Sequence, residues 1–208
     1  MTSNEGNDRR LQKEEAILEG ARTVFCQKGY LEVTMKDIID ECGISRGGIY
    51  LYFDSVDEVF MAAAKRRMKR KYEDILAAAE TDMPFFELFD AYTANEKARL
   101  LNMETSMLRS IYEYFFTHDA PEDRAFRQSQ LSYVRDTINE ILQLGARQGV
   151  LQGDNLDLLA ESFMLITEGL SVLVLMGGAS EAQVDRQFAL MRSLLPVSKE
   201  AAVEHNAE

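Results

Sequence analysis

The sequence predicts an all-α protein. Only three of its 208 residues are proline, and no stretch alternates apolar and polar residues over the length of a half-buried β-strand. Apolar residues instead recur every three or four positions, as on one face of an α-helix. Glycine or proline separates these stretches. The length suits one large domain or two small ones, and hydrophobic residues make up 46% of the chain, enough to bury a core.

The first predicted helix covers about residues 11–28, where Ile17 and Phe25 lie on one apolar face. Gly29 ends it, since glycine often follows the last turn of a helix. We expect the polar residues 1–10 to form a disordered arm.

Two short helices joined by a glycine are predicted next. Thr34 and Ser45 are good N-cap residues, and Gly43 separates the helix that begins at Thr34 from one over about 45–52. Two short helices joined by a tight turn with glycine form a helix-turn-helix, whose second helix enters the major groove of DNA. The alternative is an ordinary corner between two packed helices.

A long helix starts at Asp54 or Ser55 and runs to about residue 80, and five amphipathic helices follow. We expect the five over about residues 84–101, 104–118, 121–149, 155–177 and 181–195. The predicted organisation is a disordered arm (1–10), a helix-turn-helix domain (11–54), a connecting helix (55–80), a second helical domain (81–197) and a disordered tail (198–208).

The charge is unevenly distributed. The whole chain has a net charge of −12, but residues 1–53 carry only −2 (7 Lys/Arg, 9 Asp/Glu) and residues 81–208 carry −10. A local positive face is therefore possible in the first third. The basic run at 65–71 is more simply a solvated helix face; the alternatives are a distal phosphate contact and pairing with the acidic domain. We see no secretory signal and no apolar run long enough to cross a bilayer, so we expect a cytoplasmic protein with reduced cysteines.

We find no enzyme motif. The sequence has no glycine-rich phosphate loop, no cluster of metal ligands and no nucleophile motif. His118 and His205 are the only histidines, and neither has an evident partner. We therefore expect no catalysis, no metal and no cofactor.

The segment ISRGGIYLYF at 44–53 carries the strongest functional signal. Glycine costs a helix about 1 kcal/mol relative to alanine, so Gly47 and Gly48 need a reason, and close approach of the backbone to DNA is one. Arg46 can bind guanine or phosphate, and Tyr50 is a better contact candidate than Tyr52, which we expect to be at least half buried. A simple loop at the glycines is the alternative. Expected DNA contacts are Thr34, Met35, Lys36, Ser45, Arg46, Gly47, Gly48, Tyr50 and Tyr52.

Residues 23–60, TVFCQKGYLEVTMKDIIDECGISRGGIYLYFDSVDEVF, resemble the DNA-binding domain of the TetR family of transcriptional repressors. The resemblance covers about residues 11–62. Two positions depart from the family pattern: Ile39 is bulky where the family often has a small residue, and Val56 stands where a phosphate-binding lysine is common. Matching positions are Phe25, Gly29, Tyr30, Thr34, Ile38, Gly43, Ser45, Gly47, Tyr50 and Phe53.

The resemblance implies a homodimer of nine or so helices per subunit that represses transcription at a palindromic double-stranded operator. It also implies that a small molecule binds the C-terminal domain and releases the DNA. The alternative is a helical adaptor that no longer binds DNA. If the protein binds DNA, few cations face it, so we expect the affinity for DNA to depend only modestly on salt concentration. The candidate cations are Arg9, Arg10, Lys13, Arg22, Lys28, Lys36 and Arg46.

The C-terminal helices carry candidate sites of lower specificity. Glu168, an acid in an apolar helix, needs a partner, either a cationic ligand or an arginine such as Arg109 or Arg135. Adaptable pockets are often lined by methionine and aromatic residues, although such residues are more often plain core. Ligand candidates are Met103, Met107, Ile111, Tyr112, Phe115, Tyr133, Phe163, Met164 and Glu168. Dimer-interface candidates are Leu159, Phe163, Ile166, Leu170, Phe188, Met191 and Leu195.

Overall fold

The computed structural model describes residues 2–81, 83–102 and 105–201, with side chains from residue 7 onwards. These residues contain nine α-helices and no β-strand beyond one isolated bridge between Leu151 and Val197, which confirms the all-α class. The helices are α1 (Thr2–Lys28), α2 (Met35–Cys42), α3 (Arg46–Ile49), α4 (Val56–Ala79), α5 (Phe85–Leu101), α6 (Leu108–Thr117), α7 (Pro121–Arg147), α8 (Leu156–Leu175) and α9 (Glu181–Ser193).

Two compact units interleave along the chain. The first contains the residues up to Arg67 together with Asn102–Arg127, and the second contains Met68–Leu101 and the residues from Gln128 onwards. Helices α4 and α7 therefore each begin in the first unit and end in the second. This grouping differs from the linear division expected from the sequence, because α6 belongs with α1–α3.

The first unit is built on a core of aromatic and branched side chains. Helix α1 packs against α2 and α6, and the fully buried residues Phe25, Ile38, Ile49 and Phe60 come from four successive helices. Burying a side chain of this size contributes roughly 1.5–3 kcal/mol. The core therefore holds the two short helices in place, although α3 has only one turn of its own.

The second unit packs α5 against α8 and α9. Phe89 of α5 lies 6.4 Å from Phe163 of α8, ring centroid to ring centroid, and both are buried. Helix α8 is apolar enough, with a mean hydropathy of 1.8, to cross a membrane by length and composition. A single helix of this kind is weak evidence for a membrane span, since core helices of soluble proteins pass the same test; 33% of the stretch is buried.

Three boundaries differ from the sequence expectation. Helix α1 begins at Thr2, inside the stretch expected to be a disordered arm, because residues 9–15 are mostly good helix formers. Helix α3 ends at Ile49 rather than about residue 52. At the C-terminal end, the amide of Ser198 donates to the carbonyl of Val150 at 2.8 Å, so the chain is still ordered where the tail was expected to begin.

Candidate DNA-binding surface

A capping box starts α2. The amide of Asp37 donates to the hydroxyl of Thr34 at 3.3 Å, and the amide of Thr34 donates to the carboxylate of Asp37 at 2.9 Å, as the Thr34 N-cap predicts. Lys28 of α1 also donates to Asp37, at 2.6 Å. This bond from Lys28, together with those from the Thr34 hydroxyl and amide, lowers the pKa of Asp37 to about 2. The start of α2 is thus tied to the end of α1.

The turn between α2 and α3 depends on one glycine. Gly43 has φ +60° and its amide donates to the carbonyl of Ile39, which is the left-handed cap that glycine adopts without strain. Ser45 then caps α3, with its hydroxyl accepting from the amide of Gly48 at 3.1 Å. Beyond α3 the chain continues in a turn, in which the amide of Phe53 donates to the carbonyl of Ile49 at 3.1 Å.

Glycine stands at these two adjacent positions for different reasons. A Cβ at Gly48 would lie 2.9 Å from Cγ1 of Ile44 and 3.0 Å from the Ser45 hydroxyl, so packing inside the protein requires this glycine. A Cβ at Gly47 would meet no described atom within 4 Å. The expectation that both glycines serve close approach to DNA therefore survives only for Gly47.

The first turn of α3 is open to solvent. Arg46 and Gly47 are exposed and Tyr50 is 39% exposed, while Ile49 and Phe53 are buried. Of the remaining candidates, Thr34, Lys36 and Ser45 are exposed, whereas Met35 and Tyr52 pack partly against the core. The exposed set covers the N-terminal ends of α2 and α3, which is where backbone amides point outward and can bind phosphate.

Of the seven cations that were expected to face DNA, two are already paired. Arg22 binds Glu19 at 2.8 Å, and Lys28 binds Asp37. Within the described part of the chain, no ion pair involves Lys36 or Arg46, which makes them the candidate phosphate or base contacts. Val56 is part-buried against the core. It therefore cannot bind phosphate as the lysine that is common at this position in the family would.

A basic groove lies beside α3 that the sequence did not reveal. Arg9, Arg10, Lys13, Leu51 and Tyr52 line an open cavity of about 380 Å³. The Arg10 guanidinium lies 6.0 Å from the centre of the Tyr52 ring. The sequence suggested these cations as DNA contacts, and the helical start of α1 brings them beside Tyr52.

The basic run at 65–71 is largely used within the protein. Arg66 pairs with Glu15, Lys69 with Glu73, and Lys71 with Glu96. Lys65 also lies 5.6 Å from the ring centre of Phe126. These contacts favour pairing with carboxylates of the same chain over a solvated face or a distal phosphate contact.

A buried polar cluster forms in the second unit. Glu96 is 3% exposed and accepts from Lys71 and from Arg99, the latter at 2.8 Å. Burial alone would raise the pKa of Glu96, but Arg99 and Lys71 outweigh it and lower the pKa to about 2. Arg99 also donates to Ser171 at 3.1 Å. The Tyr92 ring packs under the Lys71 ammonium at 4.7 Å, and among the described residues its buried hydroxyl has no hydrogen-bond partner.

The ligand candidates are divided between the units. Met107, Ile111, Tyr112 and Phe115 belong to the first unit, where Met107 and Phe115 are core residues. Tyr133, Phe163, Met164 and Glu168 belong to the second, and Met103 lies outside the described residues. Glu168 interacts with Arg99, whose pKa its charge helps to raise against the effect of burial. Arg109 and Arg135, the partners considered from the sequence, bind Glu113 and Asp136.

Most of the dimer-interface candidates are core residues of a single subunit. Phe163, Leu170, Phe188, Met191 and Leu195 are buried in the isolated chain, and a buried side chain cannot lose further area to a partner. Only Leu159 and Ile166 of the set are partly exposed. The same two helices and the residues that cap their C-terminal ends carry other, largely exposed apolar residues: Leu158, Leu165 and Leu173 on α8, its C-cap Met176, Leu190 on α9, and its C-cap Leu194.

Comparison with known proteins identifies the helix-turn-helix. The model for bacterial regulatory proteins of the tetR family matches residues 17–63, which contain α2 and α3. The HTH-type transcriptional regulator YfiR of Bacillus subtilis is 28% identical over 161 residues, covering 76% of this chain and 78% of YfiR. The HTH-type transcriptional repressor Rv1474c of Mycobacterium tuberculosis is 30% identical over 129 residues, covering 59% of this chain and 69% of the relative.

The fold is shared with solved structures over most of the chain. A transcriptional regulator from Saccharomonospora viridis, in complex with choline, superposes with a TM-score of 0.67 at 22% identity, covering 90% of this chain and 99% of that one. The family match, the relatives and the capped helix-turn-helix agree: this chain belongs to the TetR family of bacterial transcriptional regulators.

Proposed function

We propose that this protein is a cytoplasmic transcriptional repressor that binds a palindromic operator as a homodimer and leaves it when a small molecule binds. The observation that carries the proposal is the exposed N-terminal turn of α3. There Arg46 and Gly47 are open to solvent while Ile49 anchors the turn in the core. A helix end held this way can meet base edges in the major groove without rearranging. We propose repression, and not activation, because relatives such as Rv1474c are named repressors.

The dimer would form through α8 and α9. Leu158, Leu165 and Leu173 of α8 and its C-cap residue Met176 are 47–75% exposed. They lie seven, eight and three positions apart, which places them along one face of the helix. A continuous apolar stripe of this kind is a common mark of a protein interface. Two copies meeting on this face would bury it in an isologous contact, as a dyad-symmetric operator requires.

The effector would bind in the second unit. The unpaired Tyr92 hydroxyl supports a ligand that carries a polar group, since a buried hydroxyl without a partner costs about 1–3 kcal/mol. Glu168 is a weaker candidate for binding a cation than the sequence suggested, because Arg99 already balances its charge. The choline in the Saccharomonospora viridis structure makes small cationic compounds a reasonable first group to screen by thermal shift.

Titration of duplex DNA tests the DNA-binding function. We expect the purified protein to shift DNA fragments that flank its own gene, and Tyr50→Ala to lose this binding while remaining a dimer. Phe116→Ala is a matched control, because Phe116 is an exposed aromatic residue of α6 in the same unit. Absence of binding to any such fragment at low salt would favour the adaptor alternative, and loss of folding in Tyr50→Ala would show that Tyr50 is a core residue.

A further inference from the structure

Helix α6 grips the loop that connects α1 to α2. The loop begins at Gly29, whose φ of +80° turns the chain out of α1. The amides of Tyr30 and Leu31 then donate to one carboxylate oxygen of Glu113 on α6, at 2.6 and 3.1 Å. A Cβ at Gly29 would lie 2.6 Å from the same oxygen, so α6 passes directly over this turn.

Two further hydrogen bonds, from Ser110 and Arg109 of α6, hold this arrangement in place. The hydroxyl of Ser110, one turn before Glu113 on α6, donates to the carbonyl of Phe25 in the last turn of α1 at 2.6 Å, and both residues are buried. Arg109 donates to the other Glu113 oxygen at 2.6 Å, which leaves the first oxygen for the two loop amides. A carboxylate held by an arginine and bound to two backbone amides is among the stronger hydrogen-bonded arrangements in proteins.

The same loop is held at its side chain. Tyr30 is buried, and its hydroxyl donates to Asp57 in the first turn of α4 at 2.5 Å. The nitrogen Nε2 of His118, just after α6, lies 3.1 Å from this hydroxyl. Tyr30 is therefore fixed at its amide by α6 and at its ring by α4. Because α2 begins only five residues after Tyr30, this loop contributes, with the core, to where α2 and α3 lie relative to α1.

We propose that Glu113 is a positioning residue for DNA binding: by holding the Tyr30 and Leu31 amides, α6 fixes the α1–α2 loop and sets the placement of the α2–α3 pair on DNA. Glu113 itself contacts no DNA on this proposal, which rests on the proposed DNA-binding function. Its effect has a distinctive sign. Removing a negative charge from a protein that binds a polyanion should by itself tighten binding, whereas loss of the grip weakens it.

Glu113→Gln tests the proposal, with Glu122→Gln as a control that removes one exposed carboxylate from the same unit. In Glu113→Gln we expect amide hydrogen exchange at Tyr30 and Leu31 to accelerate about tenfold or more, and the Kd for a bound DNA fragment to rise about tenfold, as for the loss of one charged hydrogen bond. Glu122→Gln should leave both amides unchanged and bind DNA as tightly as the wild type or slightly more tightly. Ser110→Ala should weaken DNA binding less, because the Phe25 carbonyl keeps the Gly29 amide.

Binding is measured on the folded dimer well below its melting temperature, so that a lower global stability alone leaves the Kd unchanged. Unchanged exchange at Tyr30 and Leu31 in Glu113→Gln, or a Kd equal to that of Glu122→Gln, would overturn the proposal. If the wild type binds no DNA fragment at all, the proposed function fails, and the exchange rates still decide separately whether Glu113 holds the loop.

Discussion

Replacing each of the two adjacent glycines by alanine should have opposite effects on stability. At Gly47 the new methyl group enters open space, since no described atom lies within 4 Å of its position. Alanine favours a helix over glycine by up to about 1 kcal/mol, so Gly47→Ala should stabilise the fold by about 0.5–1 kcal/mol. The same methyl group would stand between α3 and the DNA, and operator binding should weaken.

At Gly48 the methyl group would lie 3.0 Å from the Ser45 hydroxyl and 2.9 Å from Cγ1 of Ile44. Displacing the Ser45 cap costs about 1 kcal/mol, which cancels the helix-propensity gain, and the contact with Ile44 adds to the cost. We therefore expect Gly48→Ala to be less stable than Gly47→Ala by about 1 kcal/mol or more.

Urea unfolding followed by circular dichroism gives the two stabilities, and titration of a labelled operator gives the two affinities. The reasoning on Gly48 fails if both variants are equally stable. The reasoning on Gly47 fails if Gly47→Ala binds the operator as tightly as the wild type, because close approach of the backbone would then not be needed.

Three further predictions concern the dimer, acid stability and salt. Leu165→Glu should convert the dimer to monomer in sedimentation velocity, while the same change at exposed Phe116 should not; a dimeric Leu165→Glu would exclude the α8 face. The folded-state pKa of Glu96, about 2, lies below its ordinary value of about 4.3, so its contribution to stability is complete above about pH 4.5 and is lost as the pH falls towards 2. Unfolding measured across this window should show a smaller pH dependence in Glu96→Gln, and an equal dependence in both proteins would refute the assignment. Because Lys28 is already paired, fewer cations are available to neutralise DNA phosphates. The slope of log Kd against log salt concentration should therefore correspond to fewer than about eight released ions per subunit. A steeper slope measured by anisotropy would contradict the count of available cations.

The local signals of the helix-turn-helix were readable from the sequence. Thr34, Gly43 and Ser45 act through neighbours no more than four residues away, so their residue types nearly determine the caps. Local rules failed at Gly48, where the position of the Ile44 side chain requires glycine, and at the start of α1, where the polar residues 1–10 were read as a disordered arm.

Contacts across long sequence separations could not be predicted. Glu113 reaches Tyr30, 83 residues earlier, and Arg99 reaches Ser171, 72 residues later. Spacing along one helix shows which residues share a face, but not which neighbour covers that face. For this reason Phe163 and Met191 were read as interface residues although they are buried within one subunit, and the exposed stripe on α8 was recognised only from the fold.

Hydrogen exchange of the protein alone and bound to its operator tests the central claim most directly. If the exposed turn of α3 reads DNA, the amides of residues 45–50 should exchange more slowly in the complex, along with those at the N-terminus of α2. Slower exchange confined to other surfaces, with residues 45–50 unchanged in a stable complex, would show that this protein binds DNA some other way.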